Sequence, residues 1–187
     1  MVRRLFAFLC LMPLAADIGA APLVRDYLDE TTAISVTYVT TPLVFVREHP
    51  SLGVNVREYL SLAPLELNAA GRETYYLFGY LWHTGAASGE SLETLARELV
   101  ILGDDRRMRL QGVGRSLRQA GLGGLPWPPP APGAHPVMYS IDPEALYYLT
   151  ATEALSVELP ADRFEPLMSL WHDGRDGIRE FLRTTVD

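Results

Sequence analysis

The chain has 187 residues, a formal net charge of −7 and one cysteine. That length bounds it to one domain, or to two small subdomains, with room for a core that needs no disulfide staples. The acidic balance repels phosphate backbones, which excludes nucleic acid as a partner, and it works equally against peripheral binding to anionic lipid.

Residues 1–20 carry the three parts of a secretory signal peptide. Arg3 and Arg4 supply the positive region, Leu5 to Leu14 the apolar stretch, and Ala15, Ala16, Gly19, Ala20 and Ala21 the small residues of a cleavage site. Cleavage is expected near Ala16 or Ala20. The apolar run of about twelve residues before Asp17 falls short of the roughly 20 that span a bilayer. Lipidation of Cys10 is the less favoured reading, because Leu9 stands where a lipobox wants a small residue. Loss of Arg3, Arg4 and Asp17 with the signal takes the net charge from −7 to −8. The remaining chain, 21–187, keeps no cysteine, so it can form no disulfide. Every basic residue is arginine, and Ala, Gly, Pro and Leu are abundant, as in a bacterial genome rich in G and C. The reading is a periplasmic or secreted protein with no integral membrane segment after cleavage.

Leu23 to Glu30 reads as a short helical turn or an arm. Thr32 to Thr40 alternates β-branched residues and reads as a strand, and Leu43 to Val46 as a second. His49-Pro50-Ser51 marks a turn. Tyr59–Leu67 and Thr74–His83 form the clearest hairpin, joined by turn residues from Asn68 to Glu73. In its second arm Tyr76, Phe78, Tyr80 and Trp82 share one face, with Tyr75, Leu77, Gly79 and Leu81 on the other. Two apolar faces place this strand centrally in the sheet.

A small-residue loop, 84–89, leads to a short helix capped by Ser91. Glu98–Leu102 and Arg106–Gln111 form a second hairpin around Gly103-Asp104-Asp105. Its Arg107 and Arg109 face solvent. Residues 112–136 are rich in Gly and Pro. Pro126-Trp127-Pro128-Pro129-Pro130 favours polyproline II, so this stretch reads as a surface loop, or as a linker between a β-rich part (31–111) and a smaller α+β part (137–187). Beyond it come a strand at 136–141, a helix started by Asp142-Pro143 and running to about Thr152, a strand at 154–159, another at 164–171, and a last helix of 174–183 capped by Asp173. The fold class is therefore α+β: mainly antiparallel sheet built of hairpins, with two or three short helices concentrated in the C-terminal third.

Motifs for chemistry are weak. His49, His83, His135 and His172 have no zinc spacing. Gly114-Arg115-Ser116-Leu117-Arg118 fails the nucleophile-elbow pattern at its last position. Gly112-Val113-Gly114 has Leu117 where a third glycine belongs. Asp104-Asp105 and Asp173–Asp176 are explained by a turn and a helix cap. No catalytic residue, cofactor site or metal site is assigned. The aromatic row of Tyr76, Tyr80 and Trp82 reads first as a buried strand face and second as a stacking platform. Trp127 reads first as part of a stiff loop and second as a recognition element. These four residues are the candidate surface for a partner, either another envelope protein or an apolar or sugar-like ligand. The leading expectation is a non-catalytic binding module of the cell envelope, and the rival is a periplasmic hydrolase of an envelope polymer whose site assembles only in the fold.

Overall fold

A computed structural model describes residues 21–48, 56–84, 92–104, 106–113, 118, 120–161 and 166–186. The export signal of 1–20, the turn at 49–51, the 85–89 loop with its Ser91 cap, the Gly114–Leu117 stretch and the start of the strand expected at 164 lie outside the described residues. In chain order the elements are β1 (Val24–Asp29), β2 (Ile34–Val39), β3 (Leu43–Glu48), β4 (Arg57–Ala69), β5 (Arg72–His83), α1 (Leu92–Leu95), β6 (Glu98–Gly103), β7 (Arg106–Gln111), β8 (His135–Ser140), α2 (Pro143–Ala151), β9 (Leu155–Glu158), β10 (Met168–His172) and α3 (Arg175–Thr185). All strand pairs are antiparallel, and the fold is α+β, mainly sheet.

One expectation is corrected at the start. Residues 24–29 form neither a helical turn nor an arm. They are an edge strand that pairs with β2 from Val24↔Val39 to Asp29↔Ile34. The β4–β5 hairpin turns more tightly than the six-residue window read from sequence. Pairing runs on to Ala69↔Arg72, with Ala70 at φ 52° and Gly71 at φ 86° as the two turn residues. Two successive positive φ values are the requirement of a type I′ turn, whose twist matches that of the strands.

The strands curl into a ring. Its order is β8-β5-β4-β3-β10-β9-β6-β7. The two edges meet where Gly112 bridges Tyr139 and the Val113 N–H donates to Met138 O at 2.7 Å. Strands from both sides of the 112–136 stretch thus share one sheet. A ring of eight strands encloses a space that side chains can fill. Phe45, Leu60, Leu81, Tyr139, Leu110, Ile101, Val157 and Met168, one from each ring strand, all belong to a single buried cluster. Leu146 and Leu149 of α2 and Ile178, Phe181 and Leu182 of α3 join the same cluster. These helices cover the end of the ring where β6 finishes and β3 begins. There the Tyr148 hydroxyl donates to Gly103 O at 2.5 Å, and the backbone at Gly174 packs on Thr41 and Pro42. The N-cap of α3 is Gly174 rather than the expected Asp173, which stands one residue earlier and accepts the Arg175 N–H at 3.0 Å.

The curl needs one close backbone approach. A Cβ on Gly79 would stand 1.7 Å from Ser61 O, so no other residue fits there without moving the β4–β5 pair. Ser61 compensates locally, its Oγ accepting the Tyr80 N–H at 3.0 Å.

β1 and β2 continue the sheet beyond the ring, because β2 pairs with the second half of β4 while β3 pairs with the first. A second buried cluster forms on the outer face, joining Val36, Leu65, Leu67, Phe78, Tyr80 and Met138 to Leu122 of the 112–136 segment. Asp29 ties that segment down. Its carboxylate accepts the Gly123 N–H at 2.5 Å and the Thr31 N–H at 2.9 Å.

Candidate functional site

On the outer face of β10, β3, β4 and β5 lies a cleft of about 440 Å³. Strand alternation supplies its floor: Val44, Tyr59, Ser61, Tyr80 and Trp82. Tyr59 is opposite Trp82, and Ser61 is opposite both Tyr80 and Val44, so these side chains share one side of the sheet. The Tyr59 and Trp82 rings stack at 5.2 Å with planes 11° apart.

One wall is the proline segment, through Trp127, Pro128 and Pro130. Trp127 is held on three sides. Its ring stacks on Tyr38 at 5.6 Å and meets Phe78 edge to face at 4.9 Å, and its carbonyl accepts the Tyr80 hydroxyl at 2.6 Å. Burial pushes the Tyr80 phenol up to about 12, so the hydroxyl keeps its proton and stays a donor at physiological pH.

The opposite wall is Trp171 with His172 and Pro42. Here the strand register breaks: Leu170 pairs with Phe45, but His172 pairs with Val44, one residue on. Trp171 is the extra residue of a β-bulge, the device that re-aims a side chain out of strict alternation. It is 67% exposed, the most open large apolar side chain among the described residues. All three tryptophans of the chain therefore line one cleft.

The fold thus divides the residues singled out from sequence. Tyr80, Trp82 and Trp127 come together at the cleft, with Tyr80 buried as floor and anchor and Trp82 half-buried. Tyr76 does not reach it. It lies opposite Leu65 and packs against the outer cluster. Pro128 and Pro130, of the segment read from composition as polyproline II, join Tyr80, Trp82 and Trp127 at the cleft, and so does His172, which the sequence offers only as a possible zinc ligand; Trp171, Tyr59, Ser61, Val44 and Pro42 are added by the fold. Trp171 gave a signal as an aromatic at a strand end, but its direction depends on the bulge.

Titratable groups gather elsewhere. At the end of the ring away from α2 and α3, Glu58 faces the interior, fully buried. Its Oε2 accepts from Arg47 Nε at 2.6 Å, and its Oε1 lies 2.8 Å from His83 Nε2. Arg47 also donates to Pro166 O at 3.1 Å. Burial alone would raise the Glu58 carboxyl. The His83 hydrogen bond and the charge of Arg47 outweigh it and hold the group below the usual glutamate value. His135 is half-buried, and burial pushes it down against the pull of Glu93. Among the described residues, no group of three or more His, Cys, Asp or Glu could hold a metal ion, and no helix is long and apolar enough to cross a membrane. No protein-family model, no curated protein and no solved structure matches the chain.

Proposed function

We propose that this chain is an exported bacterial envelope protein that acts as a non-catalytic binding module, with the outer cleft as its binding site. One observation carries the reading: the three tryptophans, far apart in sequence, line a single concave surface together with stacked Tyr59. Aromatic side chains contribute large contact area at small entropic cost, and they dominate binding hot spots. The signal-like composition of residues 1–20 supports the exported setting.

Binding is favoured over hydrolysis because the carboxylate–histidine pair that the fold assembles points inward. Glu58 has no exposed surface, and its oxygens are committed to Arg47 and His83. A general acid or base must come within hydrogen-bond reach of the substrate. The test is affinity capture from bacterial envelope extract with the 21–187 chain and with its Trp171→Ala variant. Because Trp171 is exposed, the variant should keep its stability to within about 0.5 kcal/mol. Retention by the parent and loss by the variant is the expected result. Equal retention by both would reject the cleft as the site.

A further inference from the structure

We propose that the cleft takes a proline-rich peptide in the polyproline II conformation; this deepens, and rests on, the assignment of the cleft as a binding site. The first argument is that the protein already holds such a segment on the same face. Trp127, Pro128 and Pro129 each precede a proline, which restricts all three to extended or polyproline geometry. Tyr38 and Phe78 pack on its Trp127 ring, and the Tyr80 hydroxyl donates to its Trp127 carbonyl at 2.6 Å. Proline-rich ligands dock in aromatic-lined grooves of this kind, where the preformed polyproline helix lowers the entropic cost. The aromatic surface then continues past the internal segment through Trp82, Tyr59 and Trp171.

The second argument is the polarity of the lining. Tyr59, Trp82 and Trp171 offer O–H and N–H donors beside Ser61 and His172, whereas among the described residues no Asp, Glu, Asn, Gln or Arg lines the cleft. A polyproline strand presents solvated carbonyls, and each proline lacks an N–H. A lining rich in donors and without a carboxylate therefore suits it. A sugar suits the lining less well, because each hydroxyl both donates and accepts. The negative net charge further favours a peptide with cationic flanks.

The test is titration of the 21–187 chain with a tryptophan-free probe, decaproline ending in two arginines, followed by tryptophan fluorescence and calorimetry. A control peptide carries alanine in place of the prolines, with equal length and charge. We expect saturable binding, weakened at least about tenfold in Trp171→Ala and at least about tenfold for the alanine peptide, with an unchanged Tm for the variant. Equal binding of both peptides would overturn the proposal, since charge alone would then account for it. If decaproline is inert but chitohexaose or an apolar dye binds in a Trp171-dependent way, the polyproline assignment falls while the cleft stands. If none of these probes perturbs the tryptophans, both readings fall.

Discussion

Glu58 is a carboxylate placed where the ring interior offers it no water, and its cost is met by Arg47 and His83. Its ordinary value is 4.5 and its folded value is lower. A carboxyl depressed in this way contributes stability above the unfolded value and loses it as pH falls through the folded value. Glu66 has the opposite sign: burial, then the charge of Glu73, raises it. Comparing Glu58→Gln with the parent cancels Glu66 and isolates Glu58. The variant removes the carboxylate charge paired with buried Arg47, and breaking a buried pair costs about 3–5 kcal/mol near neutral pH. That difference should shrink as pH drops below about 4.5, measured by urea unfolding at a series of pH values. A difference that stays constant down to pH 3 would show that Glu58 is not held charged in the fold. None of this was legible in sequence. Arg47, Glu58 and His83 sit on three different strands, and only the β3–β4–β5 register brings them together.

At the scale of elements, alternation was legible and curvature was not. The β4–β5 hairpin announces itself because two long apolar arms flank a cluster of turn residues that a glycine closes. The β6–β7 hairpin does so through arginines that alternate with Met108 and Leu110. β1 does not read as a strand because its only buried position is Asp29, a polar residue held by backbone N–H groups, so the segment lacks an apolar stripe. The bulge in β10 left no mark in the sequence either, yet it sets the direction of Trp171. The proline segment was recognisable by composition, but its seat was not, because that depends on Tyr38, Phe78 and Tyr80 from distant strands. Tyr80→Phe tests that seat directly. Losing one hydrogen bond to a backbone carbonyl should cost about 1 kcal/mol. The same change should loosen Trp127 and shift tryptophan emission to longer wavelength. An emission spectrum identical to that of the parent would mean that ring packing alone positions the segment.

The whole molecule is a ring filled by one core, with a second core outside it. Sequence reasoning reached the α+β class from local patterns. It could not reach the ring, because β3 with β10, β5 with β8 and β6 with β9 are pairings between distant parts of the chain. Ring closure also carries a consequence for motion. Seven of the eight junctions are ladders of paired residues, whereas the eighth, between β7 and β8, rests on the Gly112–Tyr139 bridge and the Val113 hydrogen bond. Local opening follows the cheapest break. The amide of Val113 should therefore exchange with solvent faster than that of Tyr80 in the β4–β5 ladder, as measured by hydrogen exchange under native conditions. Equal protection would show that the molecule opens only as a unit. Gly112 is also the root of the segment that ends, at Trp127, as a wall of the cleft. Val113 at the weakest stitch and Trp127 at the cleft wall both rest on the outer cluster, so a ligand that tightens Trp127 against that cluster would slow the fraying at Val113.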